Sequence, residues 1–329
     1  MSATIVPPLL GEDEDEPRVV LRNPASPVDR IYRLGARAAA SVTLAVIVLI
    51  GVFLLSRSLP ALRLAKWKFL TEAGWNPDSG VFGISAVLLG TVLIALVALA
   101  VALPVAIGAS LFLTEYAPRR LQRVLTSMVD LLAAIPGLIY GLWGLFFLQP
   151  RLIHVSRWLT THLAFLPFFK TSSQNYASTT FIAGVVVSLM VAPVCTSVMR
   201  EVFAQAPLAE KEGALALGAT RWGMVRTVVL PFGRGGMIGG AMLGLGRALG
   251  DTIAVSLIIS PIFIRTGHIL DGGGNSIASL IALRFSESSH TGISALMAAG
   301  LALFAVTLIV NAVATIIVDR SRSGSATEA

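Results

Sequence analysis

Cysteine is almost absent from this chain of 329 residues: Cys195 stands alone. A single thiol forms no intrachain disulfide and builds no metal cluster, and its apolar neighbours mark it as buried filler. Lysine is scarce too. The four lysines, Lys66, Lys68, Lys170 and Lys211, never follow a glycine, which excludes a phosphate loop of the G-x-x-x-x-G-K-[ST] kind. Of the four histidines, His154 and His162 lie eight apart, far from metal-ligand spacing. Charged residues make up 13% against 55% hydrophobic, so an ordinary soluble domain is excluded. The apolar stretches hold no Ser/His/Asp set, which leaves little support for an intramembrane enzyme. GLGRALG (244–250) has the spacing G-x-G-x-x-x-G and no preceding strand, so it is not a dinucleotide fingerprint.

What the chain has is hydrophobic length. Six runs reach roughly the 20 residues that a helical span needs: 38–55, 84–113, 131–148, 179–199, 235–264 and 292–318. The expected fold is all-α, a polytopic membrane protein with six transmembrane helices. Two runs exceed a straight span, which predicts tilt, a kink at Pro104 or a broken end. An even number of spans puts both termini on one side. With the termini inside, 15 of the 25 Lys/Arg lie on the inner side and nine outside, with Arg247 in a span, so both termini are expected in the cytoplasm. The sequence pI near 10.2 is thereby explained by lipid, and no nucleic-acid partner is expected.

The expected domains are an N-terminal tail (1–37), a six-helix membrane domain (38–318) and a C-terminal tail (319–329). Residues 1–28, with the acidic run GEDEDE (11–16), are expected to be disordered. The outer stretch after residue 149 reads as an amphipathic loop segment, and DGGGN (271–275) as a flexible connector.

Only three charged residues fall in or against the spans: Asp130, Arg247 and Asp251. Such groups cost at least a few kcal/mol at the bilayer centre and should face protein or water. Gly236, Gly240 and Gly244 repeat every four residues. On a helix they share with Arg247 and Asp251 a sector of about 80°. The glycines predict close helix approach, and the charges on the same stripe would point into the bundle. Arg247 would lie roughly 18 Å along this helix, about mid-membrane. An inward-facing cation at that depth suits an anion path. A structural Arg247–Asp251 ion pair is the alternative, and Asp130 is a tentative member.

Between two apolar runs stands the polar segment 206–231. Pro207 suits a first helical turn, and Gly218 a left-handed helix end. Thr220 suits the cap of a second helix and Pro231 a stop. A compact helical knob of this kind can fill a groove on a soluble partner.

EKEGALALGATRW (210–222) resembles the "EAA" docking loop of ABC importer permeases of the MetI-like six-helix, type I kind. LTEYAPRRLQRVL (113–125), DLLAAIPGLIYGLWGL (130–145) and GRALGDTIAV (246–255) resemble the PstC-like subunit of the bacterial phosphate importer. The resemblance implies a non-catalytic plasma (inner) membrane permease subunit for inorganic phosphate. It implies a PstA-like permease partner, two PstB-like ATPases that bind the ATP, and a PstS-like external binding protein. Carried over residue by residue, Glu212, Gly213, Ala214, Gly218, Leu230 and Pro231 are the expected ATPase-docking positions. Arg247 and Asp251 are expected in the substrate pathway. Gly213 stands where the family has the first Ala of its triplet, and Asp251 where phosphate permeases more often carry Glu. Another oxyanion (molybdate or sulfate), or a secondary anion transporter, is the alternative reading.

Overall fold

The computed structural model describes residues 27–171 and 175–322. Most of the expected N-terminal tail, its acidic run included, and the last seven residues lie outside that range. The chain divides into two units at Ile50. The described part of the first is the beginning of helix α1 (Pro27–Ala65), so the predicted tail 1–37 already ends in helix. Its side chains from Val42 to Ile50, apolar almost without exception, are exposed, as a lipid-facing segment requires.

In the second unit the helices are α2 (Ser85–Tyr116), α3 (Arg119–Ala134), α4 (Gly137–His162), α5 (Thr180–Ala204) and α6 (Leu208–Ala216). They continue as α7 (Arg221–Phe232), α8 (Arg234–Gly250), α9 (Ile253–Ile258), α10 (Ile277–Arg284) and α11 (His290–Arg322). Among the described residues five helices are long and apolar enough to cross a membrane. A sixth is gained if α7 and α8, bent by 67°, count as one span. The predicted C-terminal tail also begins later, because α11 runs to Arg322.

Prolines decide where the spans start and stop. The run 131–148 predicted one span, but Ile135 before Pro136 is extended (φ −64°, ψ 130°), the conformation that a following proline favours. The first part of that run therefore ends the amphipathic α3, and the third span is α4. Residues 149–162, expected as loop, are the continuation of α4. The second span stays one helix through Pro104. Three π-turns, Phe112–Tyr116, Gly144–Leu148 and Val225–Val229, each precede a proline by two residues: Pro118, Pro150 and Pro231. At Pro150 and Pro231, where the helix runs on, the wider turn removes the carbonyl with which the pyrrolidine ring would otherwise collide; at Pro118 the helix ends instead, with Ala117 extended. Helix α7 thus passes Pro231 and ends one residue later, at Phe232.

The core is built on α2 and α5. A Cβ on Gly184 would stand 2.5 Å from Val97, so the two helices approach as closely as their backbones allow. A second cluster joins Ala61, Phe69, Phe82, Ile277 and Leu296. Here Phe69 is 3% exposed and packs edge-on against Phe82, 6.2 Å away. Phe82 belongs to a two-stranded hairpin, β1 (Trp75–Asn76) with β2 (Val81–Phe82). The segment 271–275 is no flexible connector. Asp271 and Asn275 are buried, Gly273 donates to Ser178 O at 2.7 Å, and a Cβ on Gly90 would meet Asn275 O at 2.2 Å.

Candidate functional site: a docking loop and a charged helix break

The loop forms as its residues dictate. Helix α6 ends in a Schellman motif: Gly218 N donates to Leu215 O (3.0 Å) and Ala219 N to Ala214 O (3.1 Å). That motif needs the left-handed φ of +87° that Gly218 adopts. Thr220 Oγ1 accepts from Gly223 N at 3.0 Å and caps α7. Pro207 is the residue before α6, one position ahead of the expected first turn. Glu212 and Gly213 point outward, and nothing stands within 4 Å of a Cβ on Gly213. Around them Leu208, Leu215, Leu217 and Trp222 are exposed, an apolar patch rimmed by charge of the kind that marks a partner site. Ala214 and Leu230 face the other way, against the core.

An ion pair that the sequence did not suggest ties the loop down. Lys211 Nζ lies 2.6 Å from Glu115 Oε1, with side chains 14% and 8% exposed. Glu115 sits in the π-turn that ends α2, so α6 is pinned to a central span. The partners are 96 residues apart, and no local signal in the sequence joins them. Asp130 is held differently: its carboxylate lies 3.9 Å from Arg200 near the end of α5, outside any span.

From the loop the chain turns at Gly233, where a Cβ would stand 2.2 Å from the Phe203 ring. Helix α8 follows, and its glycines pack as predicted. A Cβ at Gly236 would meet Val202 at 2.5 Å, at Gly240 Met199 at 3.2 Å, and at Gly244 Cys195 Sγ at 2.5 Å. Cys195 Sγ in turn donates to Gly240 O at 3.2 Å, which makes it a packing residue as expected.

Arg247 stays on this unbroken helix with the glycines, but Asp251 does not share that face. Arg247 is half-buried at the edge of a cleft of about 660 Å³, together with Met242, Leu243, Gly246 and Asn311. Among the described residues its guanidinium has no ion pair or hydrogen bond. Asp251 is not on the helix at all. Helix α8 ends at Gly250 and Asp251 is extended (φ −70°, ψ 126°), so the i, i+4 geometry behind the shared sector is lost. The alternative of an Arg247–Asp251 ion pair is also absent, with no N···O contact within 4.0 Å. Asp251 instead stands at the break just ahead of the short helix α9. Its Oδ1 would be 3.0 Å from a Cβ on Gly137, where α4 begins, and its Oδ2 is buried without a partner. Tyr140, whose hydroxyl donates to Leu132 O (2.8 Å) across the α3–α4 break, lies with Asp251 in the field of Arg247. Two helix breaks thus meet at one acidic side chain beside an unpaired cation. The arrangement is suited to receiving an anion that also carries a proton donor.

Residues 102–323 match the family described as binding-protein-dependent transport system inner membrane component. The chain belongs to this family. The permease is 45% identical to "Phosphate transport system permease protein PstC 2" of Mycobacterium tuberculosis (strain ATCC 25618 / H37Rv), over 92% of this chain and 95% of the relative. It is 46% identical to the PstC of Mycobacterium leprae (strain TN), over 80% and 85%. To the PstC of Xylella fastidiosa (strain Temecula1 / ATCC 700964) it is 39% identical, over 89% and 91%. Its fold is similar to a chain of a bacterial ABC transporter involved in the import of the acidic polysaccharide alginate. That match has a TM-score of 0.55 at 18% identity and covers 88% of this chain and 99% of the other. The permease is therefore an integral inner-membrane subunit of an ABC transporter, and works with other subunits of that machine.

Proposed function

We propose that the chain is a permease subunit of an ATP-driven importer of inorganic phosphate and forms half of its translocation path. The observation that carries this reading is the likeness, along nearly the whole chain, to relatives named for phosphate transport. The unpaired Arg247 in its cleft supports it, because a fixed cation without a protein partner attracts an anion from water. Asp251 Oδ2 adds discrimination: a buried carboxylate oxygen lacking a donor accepts the proton of hydrogen phosphate, which fully ionised sulfate does not offer.

The partners follow from the same reading: a PstA-like permease completing the path, two PstB-like ATPases, and a PstS-like binding protein delivering phosphate to the outer loops. ATP is bound by the ATPases, and this chain catalyses nothing. Glu212, Gly213 and Gly218 with the exposed leucines enter the ATPase surface. Closure of the ATPase pair moves α6, and the Lys211–Glu115 pair passes that motion to α2. Both termini lie in the cytoplasm, in keeping with the Lys/Arg excess on the loop side.

The test is uptake of labelled phosphate into vesicles carrying the whole complex. Arg247→Gln should cut uptake at least about tenfold, the effect of losing one charge-assisted contact of about 1.5–3 kcal/mol, while the complex still assembles. Unchanged uptake would refute the assignment.

A further inference from the structure

A second cationic cleft lies at the docking-loop end of the bundle, away from Arg247. Helix α3 is strongly two-faced. Arg119, Gln122, Arg123 and Thr126 fall on one side at helical spacing, and Leu121, Val124, Met128 and Leu131 on the other. In a soluble protein the apolar side would be buried. Here those four apolar side chains are exposed, and the polar side faces α5. Such a helix rests with its leucines in a lipid surface and its arginines at headgroup depth.

The polar side encloses, with the end of α5, a cleft of about 500 Å³ whose charged lining is Arg119, Arg123, Arg200 and Glu201. Arg200 is the most covered, with 19% of its side chain exposed. Its nearest carboxylates, Asp130 Oδ1 at 3.9 Å and Glu201 Oε2 at 4.0 Å, are too distant for hydrogen bonds. Among the described residues Arg119 and Arg123 have no ion pair, and the side chains of Gln122 and Thr126 make no hydrogen bond. Three arginines against Glu201 leave the lining two net positive charges, with Asp130 just outside. Forked guanidinium donors, an amide and a hydroxyl around one space match the geometry of a phosphoryl group.

We propose that this cleft binds a phosphate group on the docking-loop side of the membrane, through Arg119, Arg123 and Arg200. The group comes either from an anionic phospholipid headgroup or from free inorganic phosphate, and the chemistry of recognition is the same. The site is separate from the transport path and does not depend on which anion is carried. It adjoins the start of the docking segment, since α5 ends at Ala204 and α6 begins at Leu208.

Two arms of one experiment separate the sources, both on the purified full-length chain. In the first, native mass spectrometry counts phosphatidylglycerol retained from a mixture with excess phosphatidylcholine. In the second, equilibrium binding of radiolabelled inorganic phosphate is measured in discs of phosphatidylcholine alone. The variant is Arg119→Gln with Arg123→Gln; both side chains are exposed, so folding should survive. It should lower retention or affinity about tenfold in at least one arm. The matching pair of Arg→Lys changes should restore part of the loss, because charge returns without the fork. A loss in the lipid arm assigns the site to a headgroup, and a loss in the phosphate arm to the free anion. Unchanged binding in both arms overturns the proposal. So does phosphate binding that Arg247→Gln abolishes and the double variant leaves intact.

Discussion

Breaking the Lys211–Glu115 pair should release the docking helix without unfolding the bundle. The two groups stand 2.6 Å apart with 14% and 8% of their side chains exposed. At an effective dielectric constant near 20, attraction at about this range is roughly 4 kcal/mol, partly cancelled by desolvation. Removing one partner strands the other, which for a buried pair costs about 3–5 kcal/mol. Helix α6 contains no fully buried residue, and beside the ion pair only the half-buried Ala214 of its described residues packs against the main core. Taking the lower end, about 3 kcal/mol, local opening of α6 should become roughly a hundredfold more frequent in Lys211→Met or Glu115→Gln. Hydrogen exchange of the α6 amides in the full chain measures this directly. The double variant should exchange no faster than either single one, and the exchanged pair Glu115→Lys with Lys211→Glu should recover much of the protection. ATPase turnover coupled to transport should fall in the single variants in parallel. Single effects that simply add in the double variant, or unchanged exchange, would refute the reasoning.

Three further substitutions probe the loop and the span that it leads into. Gly244→Ala places a Cβ 2.5 Å from Cys195 Sγ and 2.8 Å from Val191, so thermal unfolding should show a loss of about 1–3 kcal/mol; Cys195→Ala in the same chain should return part of it. Gly218→Val forces a branched residue to φ +87°, costing at least about 1–2 kcal/mol, and co-purification of the ATPase should fail before the spans lose stability. Gly213→Ala meets nothing within 4 Å; the α6 helix should gain about 0.5–1 kcal/mol in exchange protection, with ATPase docking retained.

Local chemistry was legible wherever a residue acts on its immediate neighbours. Gly218, lacking a Cβ, ends α6 at a left-handed φ, the Thr220 hydroxyl caps α7, and the glycines of α8 pack against α5 at the predicted spacing. The apolar runs located the second, fourth and sixth spans to within about five residues, whereas the fifth run, 235–264, overshoots α8, which ends at Gly250. Errors came where one backbone torsion redirected the chain. The third span was placed early because hydrophobicity does not register that Ile135, ahead of Pro136, takes an extended conformation. Asp251 was assigned to a helix because 100° per residue holds only while the helix continues. The segment 271–275 looked flexible from its glycines, yet Gly274 packs against Thr180 of α5 and Asn275 against Gly90 of α2.

The sequence by itself determined that this is a membrane protein of about six spans, with a helix–turn–helix loop between two apolar runs and a lone arginine, Arg247, in the helix that follows. Those features rest on hydrophobic length, capping residues and isolated charges, which act over one or two helical turns. Only the tertiary structure decided that Lys211 meets Glu115, that Arg247 has no partner among the described residues, and that Asp251 lies between two helix breaks beside Gly137. Those juxtapositions join residues roughly 100 positions apart, or turn on a single break. They are set by which helices pack together, and no spacing along the chain encodes that.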